Sequence, residues 1–302
     1  MPDSALRSTQ LRCEFILTCI VSRLKYLHYY YLNQIYFRKI VMNEDTNPGA
    51  PVSGRHAVVT GGARGIGAAV AEKLSTMGAT LTLMGRDEGA LKEAVTRLPG
   101  SAYQLVDVTN ADSVKAAFAA AADQFGPVEI LINNAGAAES APFEKTTEAL
   151  WDRMLAVNLT GQFLCQQQVL PPMRSARWGR IVNIVSTAGL IGYAYVAAYC
   201  AAKHGAIGLT RALALETARS GITVNAICPG FTETDLLEES IQNIITTTGR
   251  TREEAEKSLK AVNPQRRFIQ PSEIAATVDW LCSPGAESVT GQSIAIAGGE
   301  VM

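Results

Sequence analysis

Net charge is almost absent from this 302-residue sequence: 27 Lys/Arg stand against 28 Asp/Glu, a balance of −1. So even a balance sets up no field to hold nucleic acid or an anionic membrane, and neither is an expected partner. Histidine is scarce, with three in all. The six cysteines form no CxxC pair and no Cys/His spacing of the metal-binding kind, which argues against a metal site and against a disulfide framework. Reduced thiols in a cytoplasmic protein are the expectation. Internal repeats and low-complexity tracts are missing too. What the chain does have is apolar mass: 47% of its residues are hydrophobic, ample for a full core.

Residues 1–41 differ from the rest. They hold five of the nine tyrosines and six Lys/Arg against Asp3 and Glu14, a local charge of +4 that leaves −5 on the remainder. Their uncharged runs, Phe15–Ser22 and Tyr26–Phe37, fall short of the roughly 20 apolar residues a membrane span needs. No small-residue cleavage pattern follows them. They read as a non-core extension ahead of a true start at Met42, with an interfacial anchor as the lesser alternative. Residues 43–54, NEDTNPGAPVSG, read as a linker. Residues 1–54 thus stand apart from a single catalytic domain over 55–302.

Within that domain short apolar runs alternate with helical patterns. HAVVT (56–60), TLTLMG (80–85), AYQLV (102–106), VEILIN (128–133), RIVNIVS (180–186), ITVNAI (222–227) and SIAIA (293–297) read as strands. They are nearly continuous in apolar residues, as strands covered on both faces are. The helices are expected over 66–77, 87–97, 110–125, 147–174, 197–219 and 271–283. Seven strands and six helices in alternation predict an α/β fold, a Rossmann-type doubly wound parallel seven-stranded sheet with helices on both faces. Ligands then sit at the carboxyl ends of the strands. The alternation breaks at 231–262, a long, partly helical insertion whose place suggests a substrate lid.

TGGARGIG, Thr60–Gly67, follows the first strand and opens the first helix. Glycines at 61, 65 and 67 let the backbone turn tightly and approach a pyrophosphate, which the helix N-terminus then holds. No Gly-Lys-Ser/Thr follows, so this is not a nucleoside-triphosphate loop. An acid at the end of the second strand would select NAD. Gly85 and Arg86 stand there instead, and Arg64 lies in the loop. Two guanidiniums suit a 2′-phosphate, so NADP is favoured over NAD. Asp87 is the counter-signal, read as the cap of the next helix.

Tyr199 and Lys203 are four apart in a helical stretch and share one face. Ser186 ends the fifth strand. A buried ammonium beside a phenol is expected to lower a pKa that is about 10 in isolation, leaving Tyr199 a usable acid/base. Tyr193 and Tyr195 have no lysine at helical spacing and read as pocket walls. His204 reads as a bystander.

Taken together, TGGARGIG, Asp107, NNAG (Asn133–Gly136), Asn158 in VNLTG, Ser186, YCAAK (Tyr199–Lys203) and PGFTET (Pro229–Thr234) make the chain resemble the short-chain dehydrogenase/reductase family over about 55–302. The resemblance implies a catalytic tetrad of Asn158, Ser186, Tyr199 and Lys203. Ser186 would hold the substrate carbonyl oxygen and Tyr199 would pass it a proton. Lys203 would hold the nicotinamide ribose, and Asn158 would support a water relay. It implies a cofactor cradle of Gly61, Arg64, Gly65, Ile66 and Gly67, with Arg86, Asp107 and Val108 toward the adenosine end. Asn134, Ala135 and Gly136 would pack along the ribose. Pro229, Gly230, Thr232 and Thr234 would position the nicotinamide beside Tyr199 and Lys203.

Within the family the sequence is most similar to 3-oxoacyl reductases, 3-hydroxybutyrate dehydrogenases and polyketide ketoreductases. That similarity implies a 3-oxoacyl thioester of CoA or acyl carrier protein as substrate, and a homodimer or homotetramer built through 147–174, 197–219 and the last strand. Another ketone, hydroxy acid or sugar is the alternative substrate, and a non-catalytic dinucleotide sensor the remote one. Arg250, Arg252, Lys257, Lys260, Arg266 and Arg267 on the lid are positioned either to meet the phosphates of a CoA or carrier arm or to form a solvated face with Glu253, Glu254 and Glu256.

Overall fold

A computed structural model describes residues 52–302. The extension over 1–41, the start at Met42 and most of the linker lie outside the described residues. Seven parallel strands form one sheet: β1 (His56–Thr60), β2 (Thr80–Gly85), β3 (Ala102–Leu105), β4 (Ile130–Asn133), β5 (Gly179–Ile184), β6 (Ile222–Pro229) and β7 (Ser293–Ile296), in the order β3-β2-β1-β4-β5-β6-β7. The order reverses between β1 and β4. At such a switch point the crossovers diverge to opposite faces and leave a crevice at the strands' carboxyl ends.

Alternate residues of β1 feed two cores, as the two-residue side-chain period of a strand dictates. Ala57 and Val59 face α1 (Gly65–Thr76), α2 (Glu88–Thr96) and a later helix, Pro271–Cys282, through Val70, Leu74, Leu91 and Ile274. Val58 faces α3 (Ala111–Phe125) and its neighbours through Val114 and Phe118. The doubly wound reading is therefore met. A polar seam crosses the second core: the Asn183 amide oxygen on β5 accepts from Asn133 Nδ2 on β4 and from Gln166 Nε2, each at 2.9 Å, while Asn183 Nδ2 donates to Thr210 Oγ1 at 2.8 Å.

Two elements differ from expectation. The helix predicted over 147–174 is α4 (Glu148–Leu155) and α5 (Gly161–Ala176) joined by a π-helical turn at Ala156–Thr160. A wide turn of this kind inserts an extra residue into the i→i−4 ladder, and its usual location is a functional site. The chain continues through α6 (Ala197–Thr217), and the insertion after β6 resolves into two helices, α7 (Asp235–Thr248) and α8 (Arg252–Ala261). Gly249, at φ +70°, ends α7, and a Thr251/Glu254 capping box starts α8. The pair has its own small core of Leu237, Ile241, Ala255 and Phe268. The last helix is α9 (Pro271–Cys282). Among the described residues no helix is long and apolar enough to cross a membrane.

Candidate active site

The glycine loop is held open by its neighbours. Gly61 and Gly65 have φ of +64° and +53°, values that strongly favour glycine. A side chain at Gly67 would run into the carbonyl of Gly61 and come within 2.6 Å of Asn134 Nδ2. Asn134 binds the loop from β4, donating to Thr60 O at 3.1 Å and Gly61 O at 3.0 Å. Thr60 Oγ1 in turn accepts from the backbone of Asn134 at 3.0 Å and Ala135 at 3.1 Å. The first turn of α1, which carries Ile66, has no acidic residue and its N-cap, Arg64, makes no side-chain capping bond. Its free N–H groups and positive dipole end therefore face a glycine-lined cradle, the arrangement a pyrophosphate requires. These residues fit a dinucleotide.

The adenosine end is less simple than the sequence suggests. Asp87 caps α2 as expected, accepting from Ala90 N at 3.0 Å. It also pairs with Arg64, whose other partner, Asp235, lies at 3.8 Å. Arg64 is thus shared with an acid, whereas Arg86 is exposed and forms no ion pair among the described residues. Asp107, beyond β3, accepts from Thr109 N at 2.9 Å and Thr109 Oγ1 at 2.7 Å. Those bonds, with Arg86 nearby, hold its carboxyl below the ordinary value. Val108 is buried at the same strand end and packs on Gly161.

Four elements converge at the next strand ends. Tyr199 and Lys203 lie one turn apart on α6, with Lys203 Nζ 5.5 Å from the phenol ring centre. Lys203 is 4% exposed and donates to Ile184 O, at the end of β5, over 3.2 Å. Asn158, in the π turn, is fully buried; its Nδ2 donates to Ala137 O at 2.9 Å and Met154 O at 3.0 Å. Gly136 lies between them: a side chain there would come within 2.9 Å of Asn158 Oδ1 and 3.7 Å of Lys203 Nζ. Ser186 caps the short turn Thr187–Gly189, its Oγ accepting from Ala188 N at 3.1 Å. On the far side Gly230 N donates to Ile296 O at 3.1 Å, Thr232 Oγ1 to Gly230 O at 2.9 Å, and Thr234 packs on Gly65. The turn after β6, Pro229–Thr234, is thus joined to the glycine loop. These contacts gather Asn158, Ser186, Tyr199 and Lys203 at the carboxyl ends of the strands, beside the glycine loop.

The expected effect of Lys203 on Tyr199 is not what the structure shows. Burial pushes the phenol up to about 12, with Ser186 beside it pulling the other way. Burial also pulls Lys203 down to about 8. The ammonium is bonded to a backbone carbonyl rather than to the phenol, and burial leads the phenol's shift with no contribution from Lys203. A phenol this weakly acidic keeps its proton at neutral pH, the form that donates to a ketone oxygen.

The surroundings sort the remaining candidates. Tyr193 is half-buried, 2.8 Å from Thr187 Oγ1 and bonded to Glu300. Tyr195 is 67% exposed, at φ +68°, so its side chain lies at the surface instead of forming a wall. His204 is exposed, and its hydrogen bond among the described residues is to its own helix, at Cys200 O. In the insertion after β6 and the segment that follows it, Arg252 grips Glu238 with two bonds of 2.6 Å, Lys260 meets Glu256 at 3.0 Å, and Arg267 grips Glu273 at 2.6 and 2.7 Å. Three of the six cations are thus paired with acids, and Glu256 is the one interleaved acid among their partners. Among the described residues no cluster of three or more His, Cys, Asp or Glu is arranged to hold a metal.

The model of the short chain dehydrogenase family matches residues 55–244. The chain belongs to that family. A protein named as ketoacyl reductase 1 of the granaticin polyketide synthase of Streptomyces violaceoruber is 38% identical over 249 residues, 80% of this chain and 92% of its own. The D-beta-hydroxybutyrate dehydrogenase of Rhizobium meliloti is 38% identical over 255 residues, 80% of this chain and 97% of its own. Among solved structures, a tryptophan variant of actinorhodin polyketide ketoreductase with NADPH superposes at a TM-score of 0.80, with 37% identity over 83% of this chain and 98% of that one. As a short-chain dehydrogenase this protein is an oxidoreductase acting on CH–OH groups with a nicotinamide dinucleotide, in agreement with the cradle. Sequence reasoning missed Thr60 as the tie between β1 and β4 and Glu300 as a partner of Tyr193. Neither lies in a spacing pattern; both are contacts across the fold.

Proposed function

We propose that this short-chain dehydrogenase interconverts a ketone and a secondary alcohol at Ser186 and Tyr199, with a 3-oxoacyl thioester of CoA or carrier protein and its 3-hydroxyacyl form as the leading pair. The observation that carries the reading is the convergence of Ser186, Tyr199, Lys203 and Asn158 at the carboxyl ends of the sheet, beside a cradle that fits the dinucleotide. The bound nicotinamide supplies or accepts the hydride. Ser186 Oγ orients the carbonyl oxygen. Tyr199 gives it the phenolic proton, or takes the proton back in the oxidising direction. Lys203 supplies positive charge where negative charge builds up, and Asn158 fixes the Ala137 backbone beside it. Closure of α7 and α8 excludes water. NADP is the preferred cofactor on the strength of Arg86, an exposed cation at the end of β2, with NAD as the alternative. A cytoplasmic location accords with the free cysteines 165, 200, 228 and 282. A homodimer or homotetramer accords with exposed Phe163 and Leu215 on α5 and α6.

A second reading, a ketone, hydroxy acid or sugar with no phosphate-bearing arm, draws support from the lid, where Arg252, Lys260 and Arg267 are already paired with acids. Initial rates with acetoacetyl-CoA and with a panel of free ketones, each with NADPH and NADH side by side, separate the two. Turnover of the thioester with NADPH supports the first. Turnover of free ketones alone supports the second. Preference for NADH overturns the cofactor assignment.

A further inference from the structure

Glu300 stands at the end of the chain, 107 residues from the tyrosine it binds. Its Oε1 accepts from the phenol of Tyr193, which also lies 2.8 Å from Thr187 Oγ1. A carboxylate only accepts. The single phenolic proton therefore goes to Glu300, and the Thr187 hydroxyl donates to the phenol oxygen. The bonds run in one direction, Thr187 to Tyr193 to Glu300. The shifts at Tyr193 agree: burial raises its pKa most, the bond to Glu300 raises it further, and Thr187 lowers it, as a donor to the phenol oxygen does.

Thr187 is 4% exposed and opens the short turn that Ser186 caps. The turn has no slack on its other side. A side chain at Gly189 would lie 2.9 Å from Lys203 O, Val185 Cγ1 and Ile207 Cδ1. Any movement of Thr187 therefore reaches Ser186 rather than being absorbed. The second oxygen of Glu300, Oε2, is buried with no hydrogen-bond partner among the described residues and faces Gly230, where a Cβ would be 2.8 Å away. An orphan carboxylate oxygen costs stability. An apolar side chain at 300 would avoid that cost but could not accept the phenolic proton of Tyr193.

We propose that Glu300 is a positioning residue. Through Tyr193 and Thr187 it latches the C-terminal tail to the substrate loop and fixes Ser186 Oγ for the carbonyl. Glu300 itself touches no reacting atom. The role presupposes the Ser186 and Tyr199 assignments proposed above.

The test is a double-mutant cycle on the full chain with Tyr193→Phe, Glu300→Ala and the pair, with Glu300→Gln as the conservative variant and Tyr199→Phe as reference. Steady-state kcat and KM, NADPH affinity by fluorescence titration, and Tm are measured for each. Each single variant is expected to lower kcat on the order of tenfold while NADPH affinity holds within about twofold, and the double variant to lose no more than the worse single, because the two act as one unit. Glu300→Gln, which keeps an acceptor oxygen, is expected to recover most of the loss. Additive losses overturn the latch, and so does a fall in Tm with kcat unchanged. Tyr193→Phe keeps the ring and its packing, so it decides the matter even if Glu300→Ala folds poorly. An active Tyr193→Phe beside an inactive Tyr199→Phe refutes the latch alone. An active Tyr199→Phe refutes the catalytic assignment, and the latch with it.

Discussion

Lys203 and Tyr199 sit on one helical face, but their protonation is set by burial. Spacing alone could place the pair; it could not give the sign of the net effect, because that depends on how much water each group loses. With Lys203 at about 8 and Tyr199 at about 12, both are predominantly protonated at neutral pH. Ketone reduction is expected to proceed at full rate at neutral pH and to decline as pH rises through about 8, where the ammonium gives up its proton. Alcohol oxidation needs the phenolate and is expected to speed up with rising pH. A Lys203→Arg variant, whose guanidinium holds its proton, should be slower overall but lose the decline near pH 8 in a kcat/KM profile. A decline unchanged by Lys203→Arg assigns it to another group. The burial of Asn158 was not legible in the sequence, since its contacts to Ala137 and Met154 follow from a π turn that leaves no trace in residue spacing.

At the scale of elements, the glycine loop was the most legible feature, because strand, turn and helix each have a pattern. Its reason is visible only in three dimensions: Gly67 is pinned between Gly61 and Asn134. Gly67→Ala should weaken NADPH binding by about tenfold or more, at the scale of a small core overpacking of 1–3 kcal/mol, with a lowered Tm. Calorimetric titration showing native affinity would mean that the loop can yield. The insertion after β6 was legible as an interruption of the alternation but not as two helices with their own core, since a capping box at Thr251 and a glycine end at Gly249 are short signals in a polar stretch. Asn243 on α7 donates to Ser140 across the cleft at 2.9 Å. Asn243→Ala should raise KM with little change in kcat, because it removes a tie between lid and loop and leaves the reacting groups in place.

Over the whole molecule, seven nearly continuous apolar runs gave the sheet and its two covered faces. The strand order β3-β2-β1-β4-β5-β6-β7 is visible only in the structure, because strand neighbours are set by crossovers that leave no mark on any single residue. One polar group inside that frame carries a stability prediction. His56 is 2% exposed, with Nδ1 2.8 Å from Gly126 O and Nε2 2.9 Å from Thr82 Oγ1. Burial lowers its pKa below the ordinary 6.5, with Gly126 and Glu129 partly offsetting the shift. The unfolded chain therefore binds the proton more readily. The stability His56 confers is complete above about 6.5 and drains away as pH falls toward the folded-state value. Thermal unfolding at pH 5 and pH 7.5 should show a loss of Tm on acidification that is smaller in His56→Gln. An equal loss in both would place the acid sensitivity elsewhere.

The proposed reaction turns on Tyr199 as the group that transfers the proton between ketone and alcohol. Its most direct measurement is the initial rate of NADPH oxidation with a ketone that the native enzyme turns over, in native protein and Tyr199→Phe, with NADPH affinity titrated in both. The account predicts a rate loss of about 10²–10⁴-fold, the worth of a positioned general acid, with NADPH affinity retained. A variant that binds NADPH normally and still reduces the ketone at the native rate would contradict it.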